Sequence, residues 1–178
     1  MDLCEPLHIE SIDIETVVTA HNHALLRYCH SILCDYHEAQ DVLQTTFIKA
    51  WQNIHRFHGD DKDLLNFLYK IAYNACIDAI RRRRQRLKHS LKLPEQTNDY
   101  IPENIKTALE SLSLLDRAVI YSHAVDEMPF AELATIYGKN AAALRKRYER
   151  ARKKLGEFLS NDYPNYKNEQ KGENDNDE

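Results

Sequence analysis

The sequence predicts an all-α protein of two small helical domains joined by a flexible linker, on three observations. Only 4 of its 178 residues are glycine, far below the ~7% average, which leaves little room for tight hairpins or phosphate loops. Apolar residues recur at i, i+3, i+4, i+7 through most of the chain, the period of an amphipathic helix. No stretch alternates apolar and polar residues as a half-buried strand does. Hydrophobic residues make up 43%, enough for real cores, which excludes global disorder. No apolar run approaches the ~18 residues a spanning helix needs. Met1 to Pro6 has neither a basic nor an apolar leader region, so no secretory signal is expected.

Residues 1–17 form an acidic, weakly patterned arm. From about Val18 to Cys34 the apolar set Val18, Leu25, Leu26, Cys29, Ile32 and Leu33 predicts a first helix. Asp35, Tyr36 and His37 break it. The next helix carries Val42, Leu43, Thr46, Phe47, Ala50, Trp51 and Ile54 as its core stripe. A polar loop, Phe57 to Asp63, holds the only glycine of this half. A third helix starts near Leu64, buries Phe67, Leu68, Ile71, Ala72, Ala75 and Ile80, and runs into arginines. Together these make a first domain over 18–88.

Residues 89–103 hold Pro94, Asn98, Asp99 and Pro102 and read as a linker. The second domain is expected over 104–160. Pro102 opens a helix with Ile105, Leu109 and Leu112 on one face. Ser113 or Asp116 caps another that contains Val119 and Ile120. Pro129 opens a short helix, 130–137, and Gly138 fits its left-handed C-terminal stop. Asn140 caps a last helix with Leu144, Tyr148, Ala151, Leu155 and Phe158 inward. An acidic tail, 161–178, is expected to be disordered.

The formal net charge is −4, from 24 basic and 28 acidic residues. Phosphate binding depends on local potential, which a global sum conceals. Seven basic residues lie between Arg81 and Lys92, with no acid among them. Eight more lie between Lys139 and Lys154, with Glu149 the single acid. Each run closes an amphipathic helix, and two such helices favour nucleic acid over a merely solvated face. The segment from Phe130 to Leu155 has the layout of a helix-turn-helix. Its second helix turns Ala142, Arg145, Lys146, Glu149 and Lys153 outward. Small residues at its start permit close approach to a groove, and Arg grips guanine bidentately.

The segments Glu38–Phe47, with Arg27-Tyr28 before them, and Phe67–Arg82 resemble bacterial sigma factors of the extracytoplasmic-function (ECF) group of the sigma-70 family. Further along, Glu110-Ser111-Leu112, Phe130–Ala134, Gly138 and Arg145–Leu155 carry the same resemblance, which covers about 140 residues in order. It implies an alternative sigma factor that binds core RNA polymerase and directs promoter recognition, −10 melting and transcription initiation. By resemblance, Asp41, Gln44 and Thr45 dock on the clamp of the largest polymerase subunit, and the second domain meets the flap region. Phe57, Asp60, Asp61, Tyr69 and Asn74 fall where relatives capture the −10 strand. Stacking on an aromatic replaces base stacking at ~1–3 kcal/mol per base, and an Asn amide reads a base edge. Arg81, Arg82, Arg83 and Arg84 hold phosphates. Asn140, Ala142, Ala143, Arg145, Lys146, Arg147 and Arg150 address the −35 element. The implied partners are core RNA polymerase, promoter DNA and an anti-sigma factor, with no cofactor, no membrane insertion and a cytoplasmic location.

The sequence departs from the family pattern at several positions. Thr45 stands where a Glu is usual, Phe67 where a Trp is usual, and Ala141-Ala142-Ala143-Leu144 where Val-Gly-Thr-Val is common. Three rival readings differ in class. An enzyme lacks any supporting motif, since there is no phosphate loop, nucleophile elbow or paired-carboxylate frame. A metal or redox sensor draws on His21, His23, Cys29, His30, Cys34 and His37, crowded within 17 residues, although no Cys-x-x-Cys is present and no metal site is expected. A stand-alone helix-turn-helix regulator would bind duplex DNA without polymerase.

Overall fold

Capping chemistry sets most of the helix ends. In the computed structural model, which describes residues 14–54, 57, 59–89 and 101–162, seven helices and no strand are found among the described residues. The first, α1 (Ile14–Leu33), stops at Cys34, whose φ of 54° is left-handed and whose amide donates to the His30 carbonyl. Asp35 is extended and accepts from the Glu38 amide at 2.9 Å, which starts α2 (Tyr36–Asn53). Asp60 plays the same part for α3 (Asp61–His89), accepting from the Asp63 amide. This cap starts α3 three residues before the expected Leu64. Gly59 precedes it because a Cβ there would lie 2.6 Å from the Asp63 Cβ. At 1.5 Å per residue, the 29 residues of α3 form a rod of about 43 Å.

In the second half, α4 (Glu103–Glu110) follows Pro102. Ser113 caps α5 (Leu114–Ala124), and of the two expected candidates it is the N-cap, with Asp116 one turn inside. The eight-residue α6 (Phe130–Tyr137) spans the expected residues. It ends at Gly138, φ 61°, where the amides of Gly138 and Lys139 both reach the Ala134 carbonyl. Asn140 accepts from the Ala142 amide and starts α7 (Ala141–Asp162).

Three corrections concern the pattern. Residues 14–17 belong to α1, with Val17 buried, rather than to the acidic arm. The last helix passes Ser160 and reaches Asp162. Trp51, expected in the core stripe of α2, is 62% exposed, while Ala39 fills the inner face instead. The remainder of the arm (1–13), residues 90–100 of the linker and the tail from 163 lie outside the described residues.

Helices α1, α2 and α3 pack as one bundle, and α7 packs against α4, α5 and α6. The two bundles are not separate. α5 lies on α1 and α6 on α3, and a single cluster of buried residues runs from Leu25, Tyr28 and Leu68 through Val119 to Leu133 and Leu144. The apolar side chains buried at this junction favour the packed arrangement.

Candidate functional site

Three surfaces carry the residues singled out in the sequence. The first is the outer face of α2. Asp41 and Gln44 are exposed and Thr45 half-buried, with the Thr45 hydroxyl donating to the Asp41 carbonyl at 2.9 Å. The same face continues into Ile48, 55% exposed, and Trp51. Two large apolar side chains thus stand in water on the same face as the polar ones. The spacing 41, 44, 48, 51 puts these residues on one side of the helix, next to the core stripe that Trp51 was expected to join.

The second surface runs along α3. Phe57 is half-buried, its ring 5.6 Å from that of Phe67. The Asp60 carboxylate is occupied as a helix cap, whereas Asp61 and Asn74 are exposed. Tyr69 is not on this surface. It is 1% exposed, its ring is 4.7 Å from Tyr28, and its hydroxyl donates to the Asp126 carboxylate at 2.7 Å. Burial pushes the Tyr69 hydroxyl far up, and the Asp126 carboxylate adds to the shift.

At the end of α3, Arg81, Arg82 and Arg84 are exposed. Arg81 meets Asp78 at 3.2 Å. Arg83 turns inward toward Glu38 of α2, at 3.3 Å, and Arg86 joins the same carboxylate at 3.4 Å. Burial pushes the Glu38 carboxyl up from its ordinary value, and Arg83 opposes this. The arginine run is therefore two-sided, with Arg83 and Arg86 clasped to α2 and Arg81, Arg82 and Arg84 exposed on the other edge.

The third surface is the helix-turn-helix. Asn140, Ala142, Ala143, Arg145, Lys146 and Arg150 are exposed on α7, while Leu144 and Ala151 are buried. The Arg145 guanidinium lies 5.4 Å over the Phe130 ring, which steadies it. Arg147 departs from the expected group. It is half-buried, ion-paired to Asp116 at 2.7 Å and bonded to the Ser113 hydroxyl at 3.2 Å, so it ties α7 to the start of α5.

The His and Cys crowd of α1 does not converge. Among the described residues no three His, Cys, Asp or Glu side chains are placed to hold a metal ion. Cys29, Cys34 and Cys76 are buried free thiols, and burial pushes the Cys76 thiol well up.

Comparison with known proteins agrees with this arrangement. Residues 17–86 match sigma-70 region 2 and residues 103–155 match sigma-70 region 4. The chain is 26% identical over 185 residues to the ECF RNA polymerase sigma factor SigG of Mycobacterium tuberculosis (strain CDC 1551 / Oshkosh), covering 85% of this chain and 50% of SigG. It thus spans about half the length of that relative. It is 28% identical to the ECF sigma factor SigW of Bacillus subtilis, over 80% of this chain and 87% of SigW. It is 31% identical to the RNA polymerase sigma factor NccH of Alcaligenes xylosoxydans, over 80% of this chain and 84% of NccH. Among solved structures, the fold is shared with the sigma factor RpoE bound to the anti-sigma factor NepR from Bartonella quintana (TM-score 0.69, 24% identity, 83% of this chain and 97% of that one). It is shared also with CnrH bound to the cytosolic domain of CnrY (TM-score 0.64, 26% identity, 84% of this chain and 88% of that one). With both sigma regions present in order and this identity to NccH, the chain belongs to the ECF group of the sigma-70 family of bacterial RNA polymerase sigma factors.

Proposed function

We propose that this protein is an alternative sigma factor that binds core RNA polymerase and directs promoter recognition, −10 melting and transcription initiation. The observation that carries this is the coexistence, on one chain of that family, of an exposed α2 face and two exposed basic helix faces. Polymerase supplies the catalytic site. The family is not one of enzymes, and the work assigned to this chain is binding.

The division of labour follows from the surfaces. Region 18–88 carries the clamp contact through Asp41, Gln44 and Thr45, and −10 recognition through Phe57, Asp61, Asn74 and the exposed arginines of α3. Tyr69 joins them only after leaving Asp126. Region 104–160 carries −35 recognition through Arg145, Lys146 and Arg150, with Asn140, Ala142 and Ala143 close to the groove. Arg147 supports α7 rather than reading DNA. A flap contact by the second half, a cytoplasmic location and an anti-sigma partner belong to the same proposal. RpoE and CnrH, whose folds this chain shares, are each solved with such a partner or with the cytosolic domain of another protein. Among the described residues no helix is long and apolar enough to cross a membrane.

The test is run-off transcription from promoters found by sequencing transcript starts after overexpression. Core polymerase with this protein should give product that core alone does not. Equal product with and without the protein defeats the proposal, and tight duplex binding in that event would favour a stand-alone regulator.

A further inference from the structure

We infer that His123 is a positioning residue for −35 recognition: a cluster of three rings, His123, Phe130 and Tyr148, aims the Arg145 guanidinium. The inference rests on the sigma-factor reading of α7 for its consequence, and on geometry for the aim.

His123 lies half-buried in the last turn of α5. Its Nδ1 is 2.9 Å from the Met128 carbonyl. A carbonyl only accepts, so Nδ1 carries the proton and donates it. Met128 is itself held, being buried and donating its amide to the Ser122 carbonyl at 2.9 Å. The imidazole is thus anchored both by its own helix and by the turn that follows. Its ring lies 4.1 Å from that of Phe130, tilted by 34°, and 4.7 Å from that of Tyr148, edge-on at 89°. Phe130 and Tyr148 meet at 5.8 Å and 66°. Tilted and edge-on ring contacts are favourable beyond the area they bury. One ring comes from each of α5, α6 and α7, so the cluster joins both helices of the helix-turn-helix to the helix before them.

Arg145 lies one turn before Tyr148 on α7 and is exposed, with its guanidinium 5.4 Å over the Phe130 ring. A guanidinium reads guanine only when two of its N–H groups meet O6 and N7 together, so its direction matters more than in a phosphate contact. A long exposed side chain otherwise spreads over many rotamers. Phe130 narrows that spread, and His123 holds Phe130. A correct bidentate contact discriminates its base by about 5- to 150-fold. An exposed cation–ring contact holds its partner by about two- to fivefold. Loss of His123 should therefore erode discrimination at one base pair, while the exposed cations of α7 keep their pull on phosphates.

The test uses the full chain in two ways. Labelling the arginines with heavy nitrogen gives an Hε resonance for Arg145, assigned by its loss in Arg145→Lys. The Phe130 ring current should move it upfield of the resonance of exposed Arg152. The displacement should shrink in His123→Ala and return in His123→Phe, which restores a ring. No displacement in wild type overturns the inference and needs no variant to fold. A folded His123→Ala with the displacement intact overturns it as well. In the second arm, core polymerase with each variant transcribes templates that carry every single substitution in the −35 element of the mapped promoter. Arg145→Ala marks the base pair that Arg145 reads. His123→Ala should lose about two- to fivefold of the discrimination at that base pair, with the other positions unchanged. His123→Phe should regain it, and adding His123→Ala to Arg145→Ala should cost nothing further. A uniform loss across the element, or no base pair marked by Arg145→Ala, overturns the inference. Failure of wild type to give any product defeats the sigma-factor reading instead, which the ring-current measurement does not use.

Discussion

The bond between Tyr69 and Asp126 links residues 57 positions apart, one in each half of the molecule, and its strength is measurable by a double-mutant cycle. Tyr69→Phe removes the hydroxyl and keeps the ring beside Tyr28. A hydrogen bond to a charged acceptor contributes about 1.5–3 kcal/mol. Asp126 is half-exposed, so water partly replaces the lost donor and the low end, about 1.5 kcal/mol, applies. For a chain of 178 residues this lowers Tm by about 3–6 °C. Asp126→Ala should cost a similar amount, because the buried hydroxyl of Tyr69 then loses its acceptor. With both changes the loss should be well short of the sum, leaving a coupling of about 1 kcal/mol. Urea melts followed by circular dichroism give all four stabilities. Since one buried cluster crosses both halves, a single transition is expected. Additivity within about 0.5 kcal/mol would show that the two side chains do not meet in solution, and the docked arrangement would fall with it.

Arg145→Ala should weaken −35-dependent transcription on the identified promoters and leave Tm within about 1 °C of wild type, as expected for an exposed residue. Arg147→Ala should do the opposite, lowering Tm through loss of its Asp116 contact by no more than about 1 kcal/mol after solvent screening, with a smaller effect on promoter choice. Trp51→Ala should leave the fold intact and weaken binding to core polymerase by about 2 kcal/mol, the scale of an interface tryptophan, measured by competition with a labelled sigma factor. For pH, burial raises the folded-state pKa of Asp126 above its ordinary value. The folded protein then binds that proton more tightly than the unfolded chain. Relative to Asp126→Asn, wild type should gain stability as pH falls through the folded pKa, with the gain complete below the unfolded value of about 3.9. Paired thermal melts from neutral pH downward check the sign, and a loss on acidification would refute it.

Much of the fold could be read from local chemistry. Pro129, Gly138 and Asn140 fixed the ends of α6 and the start of α7 because each imposes or satisfies a backbone condition within a few residues. Leu144 and Ala151 were readable as inward because a helix repeats its face. What could not be read was the docking of one half on the other. Helical periodicity says that Tyr69 lies on an apolar side, but not that Asp126 waits there, since that pairing depends on how α5 and α6 sit on α1 and α3. Arg147 failed for a related reason. On a basic helix every arginine looks alike until an acid from another element claims one. Trp51 erred the other way, because a large apolar residue near a core stripe resembles core when the bundle's edge is unknown.

The clasp of Glu38 on Arg83 and Arg86 bears on how this protein responds to ionic strength. Each phosphate neutralised on single-stranded nucleic acid releases counterions and adds about 0.7 to the logarithmic salt slope. Five arginines between 81 and 86 would suggest a slope near −3.5 from this segment alone. Three of them already have a protein carboxylate as counterion, Arg81 on Asp78 and Arg83 and Arg86 on Glu38, so the segment presents two, and a slope of about −1.4. The internal acids make the segment less sensitive to the salt of its surroundings, and shift more of the discrimination onto groups that read bases.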